Sequence, residues 1–199
     1  MNKIYFDNAA TTEISDKVIS VIMDTMKNNY GNPSSTHSFG RNSKSILELS
    51  RKFIADKLKA KANEIIFTSG GTESNNMIIK SVVESQNIER IITTKIEHKA
   101  VLNSIESISK TKKILVEYLD VDNCGNPNIK QFKNSLEKSN QLTLVSLMHI
   151  NNEIGTIIDL NEYGKICRSN NALFHSDTVQ TIGHYDLDLS ATTIDFITC

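Results

Sequence analysis

Short runs rich in β-branched and aromatic residues alternate with helix-like segments along most of this sequence. The strand-like runs are Ile65–Thr68, Arg90–Thr94, Ile114–Leu119, Leu142–Met148, Ala172–His175 and Asp195–Thr198. Between them apolar residues recur every three or four positions, as Leu102, Ile105 and Ile108 do, and this spacing is typical of amphipathic helices. The alternation predicts an α/β domain with a mostly parallel sheet flanked by helices.

The N-terminal region follows a different pattern. Its apolar residues form two helical stripes, namely Ile14, Val18, Ile22 and Met26, and then Leu47, Ile54 and Leu58. A turn-forming stretch, Tyr30–Ser35, separates them. We therefore predict an N-terminal arm and two helices over residues 1–60, with the second helix from about Arg41 to Ala60. The α/β domain would occupy residues 61–199.

Composition and charge narrow the class of protein. The net charge of −1, with acidic and basic residues intermixed, does not indicate a nucleic-acid or anionic-membrane partner. The apolar runs are too short to span a bilayer, and the first residues lack the apolar segment of a secretion signal. Three cysteines without a Cys-x-x-Cys pair favour a reducing compartment over a disulfide framework. We therefore expect a cytoplasmic location.

A glycine-containing polar cluster follows the first strand-like run. In Ser69-Gly70-Gly71-Thr72-Glu73-Ser74, the glycines allow the backbone to approach a ligand, and the next helix begins with free N–H groups. Such a site suits a phosphate, although it has neither the P-loop nor the dinucleotide spacing. The alternative is structural, with Thr72 or Ser69 capping the helix and the glycines only turning the backbone.

Three further polar clusters follow later strand-like runs. They contain His98, then Asn151 and Asn152, then Asp177 with Gln180. Ligands of open α/β sheets bind outside the carboxyl ends of the strands, so the shared position favours one site. Each cluster also has a structural interpretation: a surface histidine for His98, an Asx-turn for the asparagines, and a helix N-cap for Asp177.

Taken in order, six segments resemble the cysteine desulfurases, which belong to the class V aminotransferase group of fold-type-I pyridoxal phosphate enzymes. The matching segments are Tyr5–Thr12, Gly31–His37, Phe67–Asn76, Glu97–Val101, His149–Gly155 and His175–Gln180. They extend over nearly the whole sequence, and their order makes the resemblance specific. It implies an incomplete fold-type-I large domain preceded by the N-terminal arm and two helices.

The resemblance also implies residue roles. Gly71 and Thr72 would hold the phosphate of pyridoxal 5'-phosphate, and His98 would stack on the ring and act in catalysis. Asn152 would contact the cofactor or the substrate carboxylate. Asp177 would pair with the pyridine nitrogen, and Gln180 would bond the ring hydroxyl. No metal ligands are implied.

In this family the Schiff-base lysine, the sulfur-accepting cysteine and a substrate-binding arginine lie beyond the segment that ends here at Cys199. We therefore expect an N-terminal portion of such an enzyme, inactive by itself. The complete enzyme would remove sulfur from L-cysteine, giving L-alanine and a persulfide for an iron–sulfur scaffold or a tRNA-thiolation protein, and would be a homodimer. The alternatives are a selenocysteine lyase, another class V relative, or a non-catalytic truncated product.

Overall fold

The computed structural model describes residues 3–199, which form two compact units. The first ends at Ile66, and the second runs from Phe67 to Cys199. The domain boundary at residue 60 stays a prediction.

The N-terminal unit contains two helices and one 3-10 turn. Helix α1 spans Asp16–Asn28, helix α2 spans Ser38–Leu58, and the 3-10 turn spans Ala62–Glu64. Ser15 caps α1, since its side chain accepts from the backbone N–H of Val18. Both predicted N-terminal helices are therefore present, and α2 begins three residues before the predicted start at Arg41.

The second unit contains a five-stranded, all-parallel sheet with helices on both faces. Its strands are β1 (Arg90–Thr94), β2 (Leu115–Leu119), β3 (Thr143–Ser146), β4 (Leu173–Asp177) and β5 (Phe196–Thr198). Its helices are α3 (Gly71–Ser85), α4 (Lys99–Thr111), α5 (Ile129–Glu137) and α6 (Leu160–Ser169). The strand order is β2-β1-β3-β4-β5. The predicted parallel α/β architecture is confirmed.

One predicted strand is wrong. The segment Ile65–Thr68 belongs to none of the five strands, and Ile66 is largely exposed. Its residues have strong β preferences, but a strand is stable only when a neighbouring strand pairs with its backbone. The described residues supply no such neighbour for this segment.

Two apolar clusters hold the layers of the second unit together. Phe132 of α5 and Tyr163 of α6 pack on Val145 and Phe174 at one face of the sheet. At the other face, residues of α3 and α4, including Ile79, pack on the inward side chains of β1 and β3. Burial of large apolar side chains on both faces stabilises the sheet.

The strand order also creates a topological switch point. After β1 the chain forms β2, which pairs with one edge of β1, and then β3, which pairs with the opposite edge of β1. The loops that follow β1 and β3 therefore diverge at the carboxyl edge, where ligands bind in open α/β sheets. His98 follows β1 and Asn152 follows β3, so both lie on the loops at this switch point.

A glycine on α6 sets how closely this helix approaches the segment before β5. A Cβ atom built on Gly164 would lie 1.7 Å from the backbone oxygen of Thr193. Backbone cannot yield as a flexible side chain does, so we expect Gly164→Ala to lower the free energy of unfolding by about 1–3 kcal/mol. Urea denaturation would measure this. Lys165→Ala changes the exposed next residue of the same helix, and its free energy of unfolding is expected to stay within about 0.5 kcal/mol of the wild-type value. An equal loss in both variants would contradict the close-contact explanation.

None of the helices formed by residues 3–199 has the combined length and apolar character that a bilayer span requires.

Candidate functional site

The first turn of α3 presents unpaired backbone donors. Gly70 precedes the helix with φ 155° and ψ 178°, a conformation that favours glycine, and Gly71 is the first helical residue. The earliest helical bond of the turn is donated by Ser74 N to the oxygen of Gly70. The N–H groups of Gly71, Thr72 and Glu73 therefore have no acceptor within the helix. Together with the positive end of the helix dipole, they form an arrangement suited to an anion.

Side chains around this turn stabilise its shape. Glu73 Oε2 accepts from Ser69 N at 2.6 Å. Hydrogen bonding to the Ser69 side chain, and next to its backbone N–H, lowers the pKa of the Glu73 carboxyl. The hydroxyl groups of Thr68 and Ser74 lie 2.7 Å apart. The N-cap position belongs to Gly70, which makes no side-chain cap bond. The structure therefore does not support the alternative in which Thr72 or Ser69 caps the helix.

Asp177, the last residue of β4, is a buried carboxylate at the carboxyl edge of the sheet. Its Oδ2 accepts from Asn75 Nδ2 at 2.8 Å, and its Oδ1 accepts from Val179 N at 3.0 Å. Within residues 3–199, no Lys, Arg or His lies within ion-pair distance of it. A buried carboxylate needs a cationic or hydrogen-bonding partner to offset the water that it loses.

The Asp177 loop lies against the start of α3. A Cβ atom built on Gly71 would lie 2.7 Å from Cγ2 of Val179, so only glycine permits this approach without a side-chain shift. The bond between Asn75 and Asp177 joins the same two elements. The structure therefore brings the segment of Gly71 and Thr72 next to Asp177. Gln180, which is half-buried, lies three residues further along this loop.

His98 is exposed and caps helix α4. Its Nδ1 accepts from Ala100 N at 3.1 Å, which requires that Nδ1 carry no proton. In this arrangement the ring is neutral and its single N–H is at Nε2. The surface interpretation of His98 is thus correct for its exposure, but the sequence did not reveal the capping bond that orients the ring.

The loops that carry His98 and Asn152 are joined by Asn151. Asn151 is buried, and its Nδ2 donates to the backbone oxygen of Ile96 at 2.8 Å. Its Oδ1 accepts from Glu153 N and Ile154 N, so the predicted Asx-turn is made by Asn151. Asn152 is half-buried, and its Nδ2 donates to Glu153 Oε1 at 3.0 Å.

Glu97 is a buried residue that the sequence analysis did not single out. Its Oε1 accepts from Thr94 Oγ1 at 3.0 Å and from Met148 N at 3.1 Å. Its Oε2 is buried and has no hydrogen-bond partner among the described residues. Burial raises the pKa of Glu97 to about 8, and the charge of Asp177 acts in the same direction. Its sequence signals were its position directly before His98 and its place at the start of the Glu97–Val101 segment.

Backbone bonds complete the convergence at this edge. His149 N donates to the backbone oxygen of Asp177 at 3.0 Å, and His149 Nδ1 lies 2.8 Å from Thr181 Oγ1. Burial lowers the pKa of the His149 ring. The loops after β1, β3 and β4 and the start of α3 are therefore connected at one end of the sheet. Within residues 3–199, no cluster of three or more His, Cys, Asp or Glu is placed to hold a metal ion.

Comparison with known proteins agrees with this architecture. The family model for class V aminotransferases matches residues 4–199. The chain is 42% identical over 200 residues to the mitosomal cysteine desulfurase of Trachipleistophora hominis, covering 98% of this chain and 45% of that protein. Among solved structures, a NifS-like protein superposes with a TM-score of 0.92 at 36% identity, covering 98% of this chain and 54% of the other.

A second solved structure, described as SspA in complex with cysteine, superposes with a TM-score of 0.89 at 30% identity, covering 98% of this chain and 56% of the other. The chain thus spans about half the length of the relatives that it matches. The family match itself covers nearly every residue, and the parallel sheet with polar residues at its carboxyl edge agrees with it. The chain belongs to the class V aminotransferase family.

Proposed function

We propose that the complete protein containing this chain is a pyridoxal phosphate-dependent cysteine desulfurase, which removes sulfur from L-cysteine and leaves L-alanine and an enzyme persulfide. The observation that carries the proposal is Asp177, a buried carboxylate with no cation among the described residues, next to the open N-terminus of α3. The names of the relatives favour desulfuration over other reactions of the family.

The residues at the carboxyl edge fit the cofactor. The N–H groups at Gly71 and Thr72 would hold its phosphate, because that helix terminus offers free donors and a positive dipole end. Asp177 would pair with the protonated ring nitrogen. Gln180, in the same loop, would bond the ring hydroxyl. These groups therefore match a ligand that carries an anion at one end and a cation at the other.

Bound pyridoxal phosphate supplies an electron sink for the carbanion formed on the substrate. This chain's residues would bind and orient it. Asp177 would keep the ring nitrogen protonated, which preserves the electron sink. His98 would cover the ring and exchange protons through Nε2, because Nδ1 is engaged by Ala100. Asn152 would orient the cofactor or the substrate carboxylate.

The relatives contain a second half that this chain does not match. By the family resemblance, the Schiff-base lysine, the sulfur-accepting cysteine and the substrate-binding arginine would lie there. We propose that the complete protein is a cytoplasmic homodimer. The outer sulfur of its persulfide would be transferred to an acceptor protein such as an iron–sulfur scaffold or a tRNA-thiolation protein, which returns the enzyme's cysteine to the thiol.

The test is product analysis with the complete protein. In the presence of pyridoxal phosphate and a thiol reductant, L-cysteine should give equimolar L-alanine and sulfide. A protein that turns over L-selenocysteine but leaves L-cysteine unchanged would instead be a selenocysteine lyase. Cofactor binding without turnover of either amino acid would support the non-catalytic alternative.

A further inference from the structure

Asp177 is the end of a continuous series of buried hydrogen bonds. Asn75 Nδ2 donates to Asp177 Oδ2 at 2.8 Å, and Asn75 Oδ1 accepts from Thr198 Oγ1 at 2.7 Å. Thr198 Oγ1 lies 3.4 Å from His175 Nε2, and His175 Nδ1 lies 2.9 Å from Ser146 Oγ. We call these five residues the Asp177 network: Ser146, His175, Thr198, Asn75 and Asp177.

The fold explains how five distant positions meet. Ser146 of β3 is in register with His175 of β4, and Asp177 of β4 is in register with Thr198 of β5. Residues two apart on a strand share a face, so His175 and Asp177 both point to the same side of the sheet. Asn75 reaches them from α3 and closes the series.

The direction of every hydrogen bond follows from Asp177. An ionised carboxylate only accepts, so Asn75 must turn its NH₂ group toward Asp177 and its oxygen toward Thr198. The Thr198 hydroxyl then donates to Asn75, and its oxygen is left to accept from His175 Nε2. His175 Nδ1 must therefore be unprotonated and accept from the Ser146 hydroxyl. Each donor along the network points toward Asp177.

The network is shielded from solvent. Ser146 and His175 are fully buried, and Asn75 and Thr198 are at most 2% exposed. Burial lowers the pKa of His175 to about 3, which agrees with a neutral ring. Polar groups in such a setting lose their water and depend on one another for hydrogen bonds, so removing one leaves its neighbours unsatisfied.

We propose that Asn75, Thr198, His175 and Ser146 are positioning residues that hold the Asp177 carboxylate in the orientation that receives the cofactor's ring nitrogen, with His175 as the Nε2–H tautomer. This inference rests on the proposed function, because it assigns the network to cofactor binding. An apolar set of side chains could fill the same space. The uninterrupted donor series toward one carboxylate points instead to control of that carboxylate.

The central test is the affinity of the Thr198→Val variant for the cofactor, measured with the complete, cofactor-free protein. The substitution removes the hydroxyl that joins Asn75 to His175 and nearly preserves the volume of the side chain. We expect the dissociation constant for pyridoxal phosphate to rise about tenfold, the size of one lost buried hydrogen bond. Thr198→Ser keeps the hydroxyl, and its dissociation constant should stay within about threefold of the wild-type value.

Thr93→Val is the matched control. Thr93 lies on β1, is fully buried, and its hydroxyl has no partner among the described residues. This variant removes an equally buried hydroxyl outside the network, so its dissociation constant should match that of the wild type. If Thr93→Val weakened binding as much as Thr198→Val, or if Thr198→Val bound as well as wild type, the positioning role would be overturned.

A second measurement does not depend on the cofactor. Nitrogen-15 NMR of labelled histidine in the cofactor-free protein distinguishes the two neutral tautomers, with the His175 signals assigned by their loss in His175→Gln. The network requires the Nε2–H tautomer, and Ser146→Ala should reduce its population. Observation of the Nδ1–H tautomer in the wild type would overturn the network.

The two measurements separate the inference from the proposed function. If the complete wild-type protein fails to bind pyridoxal phosphate, the proposed function fails, and the network loses its cofactor role with it. If the wild type binds and only the Thr198 and tautomer results disagree with expectation, the proposed function stands and the network is wrong.

Discussion

Asp177→Asn in the complete protein is expected to weaken pyridoxal phosphate binding by about two orders of magnitude. The variant keeps the size of the side chain but removes the negative charge that would face the protonated ring nitrogen. Hydrogen bonds to charged groups contribute about 1.5–3 kcal/mol, and an unpaired buried charge costs more, which together correspond to about 100-fold in affinity. Titration of the cofactor-free protein, followed by absorbance or fluorescence, would measure the change.

The matched control for this variant is Asp186→Asn. It makes the same change in net charge at an exposed position, and we expect it to bind the cofactor as the wild type does. Equal affinity of Asp177→Asn and wild type would remove the main support for the site. A loss in both variants would indicate a general effect of charge and not a contact with the ring.

Local sequence pattern predicted most of the sheet. The run Arg90–Thr94 is bounded by polar segments and forms β1 over the same residues, because its side chains are suited to burial on both faces. Ile65–Thr68 has an equally strong local pattern and is not a strand. The difference is the presence of a pairing partner, a property of the assembled sheet that no local window of sequence contains.

The residues of the candidate site likewise fall into those that local sequence predicts and those that only the fold reveals. Asp177 could be identified because it follows the predicted strand Ala172–His175, and parallel strands end at a common edge. Its partner Asn75 lies 102 residues earlier on a helix, where it resembles any polar helical residue. Glu97 was equally hidden, since its burial arises from packing of the β1 and β3 loops, joined by its bond to Met148. The candidates at the carboxyl edge of the sheet were therefore predictable, but the buried residues that contact them could be identified only from the fold.

Glu97 should make the stability of this fold fall as the pH rises. Its pKa is raised from 4.5 to about 8 in the folded state, mainly by burial and further by Asp177. Below about pH 4.5 the carboxyl is protonated in both states, and its contribution to stability is fully present. Between these two values the unfolded chain releases a proton that the folded chain retains, so stability is lost progressively until about pH 8.

Each pKa unit corresponds to about 1.36 kcal/mol, so the Glu97 contribution to the free energy of unfolding should decline by roughly 3–5 kcal/mol over this interval. Glu97→Gln cannot ionise, and its amide oxygen can still accept from Thr94 and Met148 N. Urea denaturation of the wild type and this variant at several values between about pH 5 and about pH 8 therefore isolates Glu97, because other titrating groups cancel in the difference. Glu84→Gln, at an exposed position on α3, should follow the wild-type curve. Parallel curves for wild type and Glu97→Gln would show that the Glu97 carboxyl is ionised in the folded state throughout this range.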